Sequence, residues 1–182
     1  MIHISDRPRV LGQETSITMS AQQGITLIGL PGSGKSSVGV QLAKVMAQPF
    51  IDTDIALQTH LGMTLQDYLD THGVDALREA EGECIVSLAL DEHVVSTGGS
   101  AVYHTGAMVH LARQSRIVYL SVTYDTMLRR LGDFSTRGIA ADLSQGLWPM
   151  YAERIALYQR FAQVTVDANS PLEAVVRAVL DA

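Results

Sequence analysis

A glycine-rich stretch between a predicted strand and a predicted helix constrains this chain more than any other feature. Residues 29–37 read GLPGSGKSS, which satisfies G-x-x-x-x-G-K-[ST], the phosphate-binding loop or P-loop. The apolar run 25–29 precedes the loop and a helical pattern follows it, so the motif has the strand–loop–helix setting that it requires. A chance glycine turn does not explain all three features. The sequence therefore predicts an α/β fold that binds a nucleoside triphosphate with Mg²⁺.

Each residue type in the P-loop has a physical role. Backbone N–H groups of a glycine-rich loop and the positive end of the following helix both attract phosphate oxygens. The motif predicts that Lys35 reaches the β and γ phosphates and that the Ser36 hydroxyl ligates Mg²⁺. The predicted nucleotide-binding residues of the loop are Gly32, Ser33, Gly34, Lys35, Ser36 and Ser37.

From Gly24 onward, β-branched or apolar runs alternate with helical patterns. The predicted strands are 25–29, 49–52, 93–97, 116–122 and 164–167. The predicted helices are 34–47, 54–61, 64–90, 104–113, 124–131, 147–162 and 171–181. This alternation is typical of a parallel sheet that helices cover on both faces. We expect a three-layer, doubly wound α/β sandwich with a mainly parallel five-stranded sheet, the architecture of P-loop kinases.

The length of 182 residues favours one domain. We assign residues 24–182 to it and interpret the weakly patterned residues 1–23 as an N-terminal extension of uncertain order. Residues 132–146 are rich in Gly, Ser and Asp, and a loop of this length in a compact domain is often functional. We expect a mobile lid there.

Composition excludes several classes of function. The net charge of −6 argues against a general nucleic-acid binder, which needs a basic surface. No apolar run is long enough for a membrane span, and the first residues lack the apolar core of a signal peptide. The single cysteine, Cys84, cannot form an internal disulfide. The six histidines show no metal-ligand spacing. We expect a cytoplasmic protein, with a monomer as the working hypothesis.

Two acids, Asp52 and Asp54, end the predicted strand FID and begin the next segment. On a strand, residues two apart point to the same side, so both acids would face one cleft. Alternatively, Asp54 caps the following helix and Asp52 is a solvated neighbour. The P-loop favours the first interpretation, because ligands of doubly wound sheets collect beyond the carboxyl ends of the strands. One carboxylate could then serve the metal, and the other could bind a substrate hydroxyl and accept its proton.

From about Gly24 to Leu180 the chain resembles the shikimate kinase family. The resemblance rests on these features: GLPGSGKSS, the D-T-D after a strand, Arg78 in ALREAEGE, the turn STGGSAV, Arg137 in STRG, and Arg154 in ERIALY. It implies transfer of the ATP γ-phosphoryl group to the 3-hydroxyl of shikimate, a step in aromatic amino acid biosynthesis. The catalytic residues that it implies are Lys35, Asp54 and Arg137.

The resemblance also assigns the remaining site residues. Asp52 would lie near Mg²⁺ with Ser36, and Asp54 would bind the acceptor hydroxyls and serve as the base. The shikimate carboxylate would be held by Arg78 and Arg154 with help from the Gly98–Gly99 backbone. Arg137 would move in with the lid, contact the nucleotide and neutralise charge on the transferred group. Planar guanidinium groups suit these roles because they bind carboxylate and phosphate bidentately.

The arginines have ordinary surface explanations as well. Arg78 could pair with Glu81 one turn along its helix, and Arg154 could be a solvated helix residue beside Glu153. Arg137 in a polar loop could simply be a solubilising residue.

Three positions depart from the family pattern. Ser100 replaces the third glycine of a usual run; a positive φ there would cost about 1 kcal/mol, and its side chain would enter the acceptor pocket. Gly138 stands where proline is usual and would loosen the lid. Asn169 and Ser170 replace an arginine near the adenine.

These departures keep two alternatives open. One is a kinase for another small carboxylated polyhydroxy metabolite. The other is a nucleotide-binding protein that has lost transfer, although such a protein would not need the acid pair or Arg137.

Overall fold

The computed structural model describes residues 24–132, 138–141, 144 and 146–182. Its strands are β1 (Gly24–Ile28), β2 (Phe50–Asp52), β3 (Val94–Ser96), β4 (Ser115–Ser121) and β5 (Val164–Asp167). Its α-helices are α1 (Lys35–Met46), α2 (Thr53–Leu61), α3 (Leu65–Ser87), α4 (Thr105–Gln114), α5 (Tyr124–Leu131), α6 (Trp148–Phe161) and α7 (Leu172–Leu180). A short 3₁₀ helix covers Ala101–Tyr103.

The five strands form one parallel sheet in the order β2-β3-β1-β4-β5. The chain leaves β1 toward the β2 edge, whereas every later connection runs toward the β5 edge. Because such crossovers are right-handed, this reversal places α1 on one face and the helices after β2 and β3 on the other. Helix α7 packs against α1, and α3 packs against α4. The expected doubly wound five-stranded α/β fold is therefore confirmed.

Burial explains why the strands read as apolar runs. Every residue of β1 and β3 is buried, while the edge strands β2 and β5 are partly exposed. The main core lies between this sheet and its helices. A second, smaller cluster joins Leu57 of α2, Leu77 of α3 and Ala140, so it ties the segment 138–141 to the two helices beside the P-loop.

The reversal of direction also creates the site. At the point where neighbouring strands send their connections to opposite faces, the loops at their carboxyl ends part and leave a crevice. Here β1 sends its connection toward the β2 edge, and both of its neighbours, β3 and β4, send theirs toward the β5 edge. The P-loop follows β1 and the segment Gly98–Gly99–Ser100 follows β3, so the two sequence features that suggested a ligand site flank the same crevice.

Candidate active site

A cleft of about 880 Å³ opens at this crevice. It is bounded by the P-loop, the starts of α2 and α3, the loop after β3, helix α6 and the segment 138–140. The predicted site residues that line it are Gly32, Gly34, Lys35, Ser36, Ser37, Asp54, Gly99 and Arg154. Predicted site residues from four separate stretches of the chain therefore meet in one cavity.

The P-loop turns through left-handed backbone conformations that favour glycine. Gly32 has φ +79° and Gly34 has φ +93°, values that a residue with a Cβ adopts at a cost. Ser33 is buried, with 1% of its surface exposed. Its N–H donates to the Leu30 carbonyl at 3.1 Å. Ser33, predicted to bind nucleotide, does not line the cleft.

Lys35 begins α1 and is buried below the loop. Its Nζ donates to the carbonyl oxygens of Gly29 at 2.8 Å and Leu30 at 3.0 Å. Burial lowers the pKa of Lys35 to about 8, although the charges of Asp54 and Asp52 oppose that shift. The ammonium is thus a poorly hydrated cation at the floor of the cleft.

Ser36 of the P-loop contacts Asp52, the last residue of β2. The Ser36 hydroxyl donates to Asp52 Oδ2 at 2.6 Å, and Asp52 Oδ1 accepts the N–H of Asp54 at 3.0 Å. Asp52, with extended backbone, is therefore the N-cap of α2. The alternative in which Asp54 is the cap is wrong, and so is strand alternation as the reason for the pairing, because Asp54 lies in the first turn of the helix.

Asp54 shares its part of the cleft with a second buried acid, Glu81 of α3. Burial, followed by the nearby charge of Asp52, raises the pKa of Asp54 to about 6. Burial and the charge of Asp54 raise the pKa of Glu81 to about 7. A Cβ at Gly98 would overlap both Asp54 Oδ1 and Glu81 Oε1, so the two carboxyl groups are neighbours on the same side of that glycine.

The loop after β3 is held in place by hydrogen bonds. Gly98 N–H donates to Thr53 Oγ1 at 3.0 Å, and the Gly99 carbonyl accepts the Tyr158 hydroxyl at 2.7 Å. Gly99 lines the cleft, whereas Gly98 does not. Ser100 has φ −98°, so the expected strain from a positive φ at this position is wrong, and serine fits the backbone without penalty.

The guanidinium groups of Arg78 and Arg154 converge on one atom. The carbonyl oxygen of Ala140 accepts Nη2 of Arg78 at 3.2 Å and Nη2 of Arg154 at 2.8 Å. Both groups also lie near the ring of Tyr103, at 3.9 and 5.4 Å from its centroid. In the described part of the chain, the Nε atom of each arginine is buried without a hydrogen-bond partner.

The ordinary explanations for these arginines are wrong. Arg154 is 1% exposed and is not a solvated helix residue. Arg78 makes its ion pair with Asp75, a long 3.9 Å contact to an exposed acid, instead of the expected Glu81. Arg78 does not line the cleft, whereas Arg154 does.

Arg137 lies outside the described residues, as does most of the expected lid. The described segment 138–141 is anchored at its start, because Gly138 N–H donates to Gln66 Oε1 at 3.0 Å. Gly138 has φ +56°, a value closed to proline, and a Cβ there would press on Leu65. This conformation explains glycine at a position where the family usually has proline.

Sequence reasoning missed two groups of the cleft. Glu81 was considered only as a partner of Arg78, yet its burial among cations and acids makes it part of the site. Arg130, in the last turn of α5, lines the cleft and points Nη2 to the Asn169 carbonyl at 3.5 Å. It supplies a cation near the place where Asn169 replaces the expected arginine. The basic last turn of an amphipathic helix was the available signal.

Comparison with protein families matches residues 31–182 to the shikimate kinase family. The shikimate kinase of Mycobacterium avium (strain 104) is 40% identical over 147 residues, covering 79% of this chain and 82% of that protein. That of Mycobacterium tuberculosis (strain CDC 1551 / Oshkosh) is 38% identical over 159 residues, covering 85% and 89%. The chain belongs to the shikimate kinase family.

Solved structures of shikimate kinases have the same fold. The enzyme from Aquifex aeolicus superposes with a TM-score of 0.74 at 28% identity, covering 86% of this chain and 94% of that one. The Acinetobacter baumannii enzyme, solved in complex with shikimate, superposes with a TM-score of 0.78 at 24% identity, covering 87% and 91%.

Membership of the shikimate kinase family confirms the function expected from the sequence at the level of the family, an ATP-dependent kinase with a small-molecule acceptor. No helix in the described ranges is both long and apolar enough to cross a bilayer. Nor do the described residues include three or more His, Cys, Asp or Glu placed to hold a metal ion. The cytoplasmic location and the monomeric state stay predictions.

Proposed function

We propose that this shikimate kinase transfers the γ-phosphoryl group of ATP to the 3-hydroxyl of shikimate through the residues of the cleft described above. One observation carries the proposal. The buried ammonium of Lys35, the carboxylate of Asp54 and the guanidinium of Arg154 line a single cavity. Phosphoryl transfer depends on positioning and cationic stabilisation more than on covalent chemistry, and this cavity offers both.

The nucleotide end is built for a triphosphate with Mg²⁺. The cleft is lined there by Gly32, Gly34, Lys35, Ser36 and Ser37, at the N-terminus of α1. Ser36 and Asp52 would hold the metal, and their 2.6 Å hydrogen bond places a hydroxyl oxygen and a carboxylate oxygen together, the hard oxygen donors that Mg²⁺ prefers. Two protein ligands suffice, because Mg²⁺ in kinases keeps waters and phosphate oxygens as its other ligands. Bound Mg²⁺ would neutralise charge on the phosphates.

Asp54 is placed to act as the base. Its carboxylate accepts the proton of the acceptor hydroxyl while that oxygen forms a bond to the γ-phosphorus and the bond to the β–γ bridging oxygen breaks, releasing ADP. A pKa near 6 leaves Asp54 ionised at neutral pH and more basic than an ordinary aspartate. Asp54 also lies close enough to Lys35 for their charges to interact, so the base and the phosphate-binding cation belong to one constellation.

Another part of the cleft suits the shikimate carboxylate. Arg154 lines the cleft, and Arg78, which does not, donates to the same Ala140 carbonyl as Arg154. The buried Nε atoms of both arginines have no partner in the described ranges. The Ala140 carbonyl oxygen, bound by both groups, marks where an anionic oxygen would be received. By family resemblance, Arg137 would add positive charge near the transferred phosphoryl group when the lid closes.

An ADP-release assay coupled to NADH oxidation tests this function. We expect MgATP-dependent release with shikimate and at least tenfold slower release with acceptors that lack either the carboxylate or the 3-hydroxyl. Asp54→Asn should lower kcat by about a hundredfold or more and change the KM for ATP little. Asp91→Asn, an exposed acid in the turn before β3, is the matched control. Absence of shikimate turnover by the wild type, or unchanged kcat in the Asp54 variant, would overturn the assignment.

A further inference from the structure

Ser100 makes a contact that a glycine at its position could not make. Its hydroxyl donates a short hydrogen bond to Oε2 of Glu81. Both residues are buried, at 7% and 3% exposure, and both line the cleft. The backbone of Ser100 is unstrained, so serine replaces glycine here at no conformational cost. What distinguishes serine from glycine at this position is the contact with Glu81.

The contact fixes the orientation of Glu81. The terminal torsion of a glutamate side chain is broad and rotates easily unless a partner holds it. With Oε2 bound by Ser100, Oε1 is the remaining acceptor. Within the described part of the chain, Oε1 is buried and has no hydrogen-bond partner. An unmade hydrogen bond at a buried oxygen is costly, so Oε1 would gain from a donor that a ligand brings to the cleft lined by Glu81.

The position of Oε1 indicates which donor it meets. Oε1 and Asp54 Oδ1 both lie where a Cβ of Gly98 would be, so two carboxylate oxygens from different helices are neighbours. Two adjacent acceptors fit two neighbouring hydroxyl groups on one molecule. The cationic end formed by Arg154 lies within the same cleft.

We propose that Ser100 is a positioning residue of the acceptor site, which acts by holding Glu81 so that Oε1 receives a second hydroxyl of the acceptor beside the one bound by Asp54. This inference rests on the proposed function and adds a determinant to it. Enzymes with glycine at this position must orient the glutamate by other means. We therefore expect the active site with Ser100 to accept shikimate.

Steady-state kinetics with Ser100→Ala and Ser100→Thr test the proposal. Losing a hydrogen bond to a charged group should raise the KM for shikimate about tenfold, with kcat and the KM for ATP within about threefold. Thr keeps the hydroxyl and should restore the KM to within about threefold of the wild type. Ser87→Ala, an exposed serine on the same helix as Glu81, is the control for a lost serine hydroxyl and should match the wild type.

A double-mutant cycle separates action through Glu81 from a general effect on folding. In a Glu81→Ala background, Ser100→Ala should change the KM for shikimate less than twofold, since its partner is gone. A lower melting temperature with an unchanged shikimate KM in Ser100→Ala would overturn the proposal, as would an undiminished effect in the Glu81→Ala background. Wild-type enzyme without shikimate turnover would overturn the proposed function itself, and this inference with it.

Discussion

The ammonium of Lys35 occupies a place where water hydrates it poorly. Two loop carbonyls accept its hydrogen bonds, and burial lowers its pKa to about 8. A buried cation with incomplete hydration gains more from an approaching anion than an exposed lysine does. The same residue therefore stabilises the loop when no ligand is bound and is available to phosphate oxygens when one is.

We expect Lys35→Ala to lower kcat for shikimate phosphorylation by about a hundredfold or more, because a pre-positioned cation at the transferred group is lost. The chain contains two lysines, and Lys44, exposed on the same helix, provides the matched control. ADP release by both variants is measured at saturating ATP. Transfer by Lys35→Ala within tenfold of the wild type would contradict the role of the P-loop lysine.

The contribution of Glu81 to the free energy of unfolding depends on pH. Burial and the charge of Asp54 raise its pKa from 4.5 to about 7, so the folded protein holds this proton more tightly than the unfolded chain. The stability that Glu81 contributes is complete below about pH 4.5 and is lost as the pH rises through about 7. At pH 8 the carboxyl group of Glu81 is ionised and buried, and the cations of the ligand-free cleft do not fully offset the cost of burying that charge.

Replacing Glu81 by the neutral Gln removes that charge at similar volume. We expect Glu81→Gln to raise the melting temperature of the ligand-free protein at pH 8 by on the order of 3 °C and to change it little at pH 5. Differential scanning calorimetry at the two pH values measures the difference. Glu83→Gln, exposed on the same helix, should show no such dependence. A variant no more stable than the wild type at pH 8 would contradict the direction of the shift.

Sequence motifs pointed to the residues of the candidate site. The burial of each side chain could not be predicted from its neighbours in the sequence. Asp52 and Asp54 were expected on one strand, yet a helix cap also places two acids two residues apart. Arg154 reads as a surface residue, because an arginine among polar neighbours on a helix is usually solvated. Its burial depends on Tyr103 and Ala140, which are distant in sequence, and no local pattern contains that information.

At the scale of elements, hydrophobic periodicity predicted the strands and helices well. All five predicted strands are present, with ends that differ by at most one residue. The predicted helix 64–90 ends at Ser87 and contains a non-helical residue at Gly73, and the 3₁₀ helix Ala101–Tyr103 was not predicted. Short irregular elements depend on tertiary contacts and show little period of their own.

The loop after β3 is shaped by the space that its neighbours require. A Cβ on Gly98 would overlap oxygens of Glu81 and Asp54, so two acids in the cleft depend on a glycine that neither contacts by hydrogen bond. This is a packing requirement, because the φ of Gly98 is not positive. The loop and the acids form one unit, and a change in either displaces the other.

We expect Gly98→Ala to lower kcat/KM for shikimate by about a hundredfold, because the new methyl group displaces both carboxylates from the acceptor. The KM for ATP should change little, since the P-loop is not touched. Gly106→Ala, at an exposed position in the first turn of α4, is the control for glycine replacement. A Gly98 variant with wild-type kcat/KM for shikimate would show that the two carboxyl groups do not depend on this close approach.

At the scale of the molecule, charge is unevenly distributed. The protein has a net charge of −6, yet its cleft contains Lys35, Arg130 and Arg154. The same cleft is lined by three acids, Asp54, Asp67 and Glu81, so the cations that would receive small anions are matched by an equal number of carboxyl groups. The strand order that builds this cleft was not readable from the sequence, which predicted parallel strands but not which two flank the crevice.

On the proposed function, two elements hold the two substrates. The P-loop after β1 would bind the nucleotide, and α6 carries Arg154 into the same cleft. Because each anchor belongs to its own element, one can be changed without replacing a residue of the other. Loss of one anchor should then appear in the KM of one substrate.

We expect Arg154→Ala to raise the KM for shikimate by 10- to 100-fold, the cost of a lost charge-assisted hydrogen bond, and to leave the KM for ATP within about threefold. Arg154→Lys keeps the charge but not the planar fork, so its shikimate KM should lie between those of Arg154→Ala and the wild type. Arg160→Ala, exposed on the same helix, should match the wild type. Melting temperatures check that each variant folds. Equal increases in both KM values would remove Arg154 from the carboxylate end, because an anchor specific to the acceptor cannot weaken both substrates alike.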